Sequence, residues 1–154
     1  MKSSLNLTEL HEATTYKKIK ELLKKGECVD VRAKGGITPL HYNENVDAVR
    51  ALLENGADVN ARREDGLCPL HIHSNPEIIK LLIEFGADIN IVDDEGDSPL
   101  HLASNLTSVE YLLDAGADVN RKNSESELPE DCYGDDSEGQ SMKAVVREFR
   151  KKAS

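Results

Sequence analysis

A thirty-residue pattern runs through this chain four times without a gap. Thr38 to Leu67 reads TPLHYNENVDAVRALLENGADVNARREDGL, Cys68 to Asp97 and Ser98 to Glu127 repeat it, and Thr8 to Ile37 is a weaker copy. A unit this short cannot cover its own apolar face, so it has to stack on its neighbours. The chain therefore reads as a single domain, residues 1–154. Its repeats are 8–37, 38–67, 68–97 and 98–127, followed by a C-terminal acidic loop and capping helix over 128–154.

The columns of the repeat define the elements. Leu10, Leu40, Leu70 and Leu100 share one column, and Ile19, Val49, Ile79 and Val109 share a second. Leu22, Leu52, Leu82 and Leu112 follow three residues on. Val49, Leu52 and Leu53 have the spacing of one helical face. Thr15, Asn45, Asn75 and Asn105 precede that helix as side chains able to accept from its first free amides. Gly26, Gly56, Gly86 and Gly116 end it, which places the second helix of a unit at roughly 46–55. The first helix begins at a hydroxyl cap, Thr8, Thr38 or Ser98, with Pro39, Pro69 or Pro99 just inside, and should be about two turns long. Cys68 stands in the hydroxyl column, so its helix should lack one backbone hydrogen bond.

The TPLH run, the paired short helices and the GADVN run that closes each unit resemble the ankyrin repeat over about residues 5–123. The resemblance implies an all-α repeat solenoid of stacked helix-turn-helix units joined by hairpin-like loops. The usual period is about 33 residues. Here three are missing between TPLH and the second helix, and the Asn column reads as a replacement cap for the lost turn.

Both ends look like caps. The second helix of the first unit carries Lys17, Lys18, Lys20, Lys24 and Lys25 around Ile19, Leu22 and Leu23, as suits a wet terminal face. Beyond Asn120 the pattern decays. LPED replaces TPLH, Ser126 replaces the glycine of Gly36, Gly66 and Gly96, and Glu125 to Glu138 holds seven acids and no base. That composition suggests a mobile loop. Met142 to Lys152 then reads as a helix with Val145, Val146 and Phe149 as its apolar stripe.

Charge narrows the classes of partner. The net charge is −10, and residues 41–142 alone carry 23 acidic against 6 basic side chains. Such a field repels phosphate backbones and favours basic or mixed protein surfaces over nucleic acid. No apolar stretch approaches the roughly 18 residues of a membrane span, and the first ten residues lack the apolar core of a secretory signal. A cytoplasmic chain with no membrane partner, monomeric when free, is the expectation.

Motifs of chemistry are missing. Cys28, Cys68 and Cys132 fall in different columns with no CxxC pair, so neither a disulfide framework nor a zinc site is indicated. His11, His41, His71 and His101 form a column, but neighbouring units about 8 to 10 Å apart cannot converge on a metal that holds its ligands near 2 Å. The resemblance makes this histidine structural, its ring bonded to backbone. There is no phosphate loop, GxSxG elbow or HExxH, and no cofactor site is expected. Asp58, Asp88 and Asp118 belong to the repeated turn.

What remains is binding. Ankyrin-like stacks present the hairpin tips and the inner face of the first helices as a concave surface. Carried over column by column, this implies partner contacts at Tyr42, Ile72, His73 and Leu102 on the first helices and at Arg62, Arg63, Val92 and Asp94 on the tips. His73 and Asn43 stand where the family usually has alanine. The expected function is a non-catalytic protein-interaction module. One version is an inhibitor or immunity protein masking a toxin or enzyme; another is an effector or adaptor docking on a host protein. An enzyme with an unrecognised site is the alternative of a different class.

Overall fold

The computed structural model describes residues 5–153 and is all-helical, with no strand among those residues. Each unit contributes a one-turn helix and then a longer one: α1 (Glu9–Glu12) and α2 (Tyr16–Lys24), α3 (Pro39–Tyr42) and α4 (Val46–Glu54), α5 (Pro69–Ile72) and α6 (Pro76–Glu84), α7 (Pro99–Leu102) and α8 (Leu106–Asp114). The last helix, α9, spans Ser137–Ala153. The long helices pack in sequence, α2 on α4 on α6 on α8 on α9, and the short ones form a second layer.

The long helices begin and end as the columns require. Thr15, Asn45, Asn75 and Asn105 all accept from an amide in the first turn, at 3.3, 3.1, 2.9 and 2.9 Å. The closing glycines take positive φ, as at Gly56 (φ 86°). Between the layers lie the leucine and β-branched columns, all 3% exposed or less. The first helices are shorter than the expected two turns. With three residues missing, only four remain helical, and the Asn43 amide closes the turn on Pro39 O at 3.0 Å.

Shortening leaves carbonyls at the end of the first helix without amide partners in their own unit, and side chains of the following unit reach them. Asn43 Nδ2 donates to Ala13 O at 2.7 Å and His11 O at 3.3 Å. His73 Nε2 donates to Leu40 O at 2.8 Å, and the Tyr133 hydroxyl to Leu100 O at 2.6 Å. Asn43, His73 and Tyr133 occupy one column. In the fourth unit that column holds Ala103, and Asn105 instead donates to Ser74 O at 2.7 Å.

The acidic stretch 125–138 is folded rather than loose. Pro129–Asp131 forms a 3-10 turn where a first helix belongs, and Tyr133 is buried on Leu100. Met142 fills the Leu22 to Leu112 column at 3% exposure, while α9 starts five residues earlier than its apolar stripe suggests. Gly139 takes the β-branched column because an added Cβ would sit 2.1 Å from Gly134 O. Glu130 stands in the leucine column, 5% exposed, and the Arg150 guanidinium of α9 meets both its carboxylate oxygens.

Candidate functional site

Hydrogen-bond ladders with the period of the sequence determine which side chains are left to face outward. The tips are tied by backbone: Lys34 N to Leu5 O, Glu64 N to Gly35 O, Asp94 N to Asp65 O and Ser124 N to Glu95 O, at 2.9 to 3.3 Å. Below them, Asp30, Asn60 and Asn90 accept from the amides of Asp58, Asp88 and Asp118 in the next unit.

The histidine column is a third ladder. His41 Nδ1 accepts from the Thr38 amide at 3.3 Å and from its hydroxyl at 2.8 Å, which places the ring proton on Nε2; that atom donates to Leu67 O at 3.2 Å. His11, His71 and His101 make the same 26-residue reach, to Ile37, Asp97 and Glu127 O. Each ring thus joins the first helix to the carbonyl just before the next unit. Burial holds His41 down to about 4 and also lowers His71 and His73, so these rings are neutral at pH 7. At Cys68 the expectation needs correction. The His71 amide still bonds Cys68 O at 3.0 Å; what is lost is the hydroxyl donor to the imidazole, since His71 Nδ1 accepts from the Cys68 amide and the thiol points to Asn60 O at 3.5 Å.

These ladders sort the expected contact residues. His73 is 8% exposed and committed to Leu40 O, so it belongs to the interior. Arg62 lies on the tips with Nη1 donating to Val92 O at 2.8 Å and Nη2 3.5 Å from Asp94, and Arg63 pairs with Asp65 at 2.7 Å. The Arg62 guanidinium therefore joins its tip to the next, and that of Arg63 braces its own. Val92 is half-buried and Asp94 exposed.

Tyr42, Ile72 and Leu102 form a row instead, one per unit at steps of thirty residues. Among the described residues four large hydrophobic side chains are exposed, Tyr16, Tyr42, Phe85 and Leu102, and two of them stand in this row. Ile72 between them is half-buried, and the Tyr42 ring meets the His11 ring edge-on at 6.3 Å. Clefts open along the same side: one is lined by Tyr42 and Glu44, and a larger one of about 750 Å³ lies between the fourth and fifth units. The sequence columns identified this row. They missed Cys132, the next member, because LPED hid the register that Pro129 preserves. Cys132 is exposed, and its thiol is pushed up to about 11, chiefly by burial and then by the Glu127 carboxylate.

What these features define is an all-α repeat solenoid that displays one row of apolar side chains on its short-helix layer. The family model for ankyrin repeats (3 copies) matches residues 42–123, more than half of the 154, and the chain belongs to the ankyrin repeat family. Ankyrin repeats are generally protein–protein interaction modules and typically non-catalytic. No curated protein matches the chain. No helix among the described residues is long and apolar enough to cross a membrane.

Proposed function

We propose that this chain is a non-catalytic binding protein that captures a protein partner on its short-helix face. Tyr42, Ile72 and Leu102 act as anchors, with the tips at Val92 and Asp94 beside them. The observation that carries this reading is the row itself. Apolar side chains stand outward or half-outward in one column, while His41, His71 and His101 before them and Asn43 and His73 after them are buried and hydrogen-bonded within the stack. Exposed apolar residues set among polar ones characterise binding surfaces. The acidic middle of the chain favours a basic or mixed partner surface, which suits a protein that masks a basic toxin or enzyme better than one that binds nucleic acid. The column histidines have both ring nitrogens committed to hydrogen bonds within the stack and so offer no free base, which supports binding over turnover.

Affinity capture from the source lysate, followed by hydrogen exchange on the purified complex, tests it. The expected result is protection of amides around 42–44, 72–74 and 102–104 and at the tips on partner binding. Protection confined to α2, α4, α6 and α8 would place the interface on the other layer and sink the proposal.

A further inference from the structure

The cleft between the fourth and fifth units differs from the rest of the face. Its floor continues the apolar row, with Leu102 38% exposed and Cys132 one repeat further on. The Cys132 thiol donates to the Glu127 carboxylate at 3.8 Å and, pushed up to about 11, is uncharged at neutral pH, so Leu102 and Cys132 give the floor an uncharged strip. The rim is built from three elements: Asp94 and Glu95 on the third tip, Glu125 on the fourth, and Glu138 at the start of α9. No lysine or arginine lines the cleft; the cations around it are Arg62, 3.5 Å from Asp94, Lys143, paired with Asp135 at 2.6 Å, and Lys122 on the same tip as Glu125. The tip charges change along the stack, from Arg32 and Lys34 in the first unit to Asp93, Asp94 and Glu95 in the third. An apolar floor gains by being covered, and a concave wall of one charge sign focuses its field on whatever covers it. Charge complementarity therefore selects a cationic cover.

We propose that this cleft takes a basic segment of another protein, with an aliphatic side chain seated on Leu102 and Cys132 and flanking lysine or arginine side chains reaching Glu95 and Glu125. The inference rests on the protein-binding reading above and names the chemistry of the partner at one end of that face. The spacing adds a constraint. Units about 8 to 10 Å apart match one turn of a polyproline II chain, three residues at about 3.1 Å each with every third side chain on the same face, so the segment carries its aliphatic residues at every third position.

Fluorescence anisotropy on the full chain with dye-labelled synthetic peptides tests this. One peptide has leucine at every third position and lysine between; a second replaces leucine by serine, and a third replaces lysine by glutamate. The lysine–leucine peptide should bind at least about tenfold more tightly than the other two, a difference of about 1.4 kcal/mol. Leu102→Ser and the pair Glu95→Lys/Glu125→Lys should each weaken it by a similar factor. Asp47→Lys/Glu84→Lys makes the same charge change on exposed positions of α4 and α6 and should leave binding intact. Equal binding of the lysine–serine peptide would mean plain polyelectrolyte attraction, and equal losses from the two lysine pairs would mean a net-charge effect; either overturns the proposal. Failure of all three peptides overturns it as well, while the wider face is judged separately by amide protection at Tyr42 and Ile72.

Discussion

The hydroxyl of Thr38 lies 2.8 Å from His41 Nδ1, that of Ser98 2.8 Å from His101, and that of Thr8 3.0 Å from His11. Among the four units with a column histidine, only the third, with Cys68, lacks this bond. Cys68→Thr should supply it and raise stability by about 0.5 to 1.5 kcal/mol, the net worth of one hydrogen bond; an unchanged or lower urea midpoint would show that the thiol serves as well. The column of Gly36, Gly66 and Gly96 gives a second case. A Cβ at Gly66 would lie 2.5 Å from Asp94 Oδ1 and 2.7 Å from Asp94 N, because the next tip packs there. Ser126 keeps the conformation, with φ 67°, at the point where the described chain has no further tip to clash with. The backbone strain remains, at about 1 kcal/mol for a residue with a Cβ. Ser126→Gly should recover most of it as a higher melting temperature, and a lower one would mean that the serine side chain contributes a contact of its own.

At the level of elements, α9 is the part whose attachment departs from the repeat. Every other first helix presents leucine to the core; the fifth unit presents Glu130, which is held by Arg150, and Arg150 also donates to Val119 O. A buried pair contributes little net stability compared with apolar residues, yet stranding one charge costs on the order of 3 to 5 kcal/mol; here Arg147, 3.7 Å from Glu130, keeps part of the pairing, so losing Arg150 costs less than that range. Arg150→Met alone should therefore loosen α9 and expose 128–153 to protease. Glu130→Leu/Arg150→Met should restore most of the resistance. If the single variant resists protease as well as the parent does, the pair is not what fastens the helix. The same packing alters the expectation for residues 125–138, whose composition suggests a mobile loop although Asn123 Oδ1 accepts from the amides of Glu125 and Glu127 and Tyr133 is buried.

For the whole molecule, stability depends on neutral rings repeated through the stack. His41 is held down to about 4 from an ordinary 6.5, with His71 and His73 also lowered, all chiefly by burial. The unfolded chain then binds more protons between those values, so stability is complete above about pH 6.5 and falls as the pH drops toward 4. Urea midpoints should decrease from pH 7 to pH 5, and His73→Asn, which copies the residue of the second unit, should shrink that decrease; a midpoint that stays level would contradict the burial of these rings. The repeat, its helix ends and its core were legible because each follows from a column of like residues. The roles of Asn43, His73 and Tyr133 were not, since three unlike side chains in one column read as variation, and only the shortened first helix shows that each answers a carbonyl at the end of the preceding unit's first helix. Arg62 and Arg63 looked free because their acceptors are backbone oxygens and near-neighbour carboxylates that carry no repeat signal. Tyr42, Ile72 and Leu102 are the residues left without such duties, and the central claim is that they bind while the ladders hold the fold. The direct test compares two sets of variants in affinity for the captured partner and in melting temperature: Tyr42→Ser/Ile72→Ser/Leu102→Ser on the row, and Tyr16→Ser/Phe85→Ser at the exposed apolar side chains elsewhere. At least a roughly tenfold loss of affinity is expected for the first set with little change in melting temperature, and unchanged affinity for the second. Full affinity in the first set, or loss in the second, would contradict that claim.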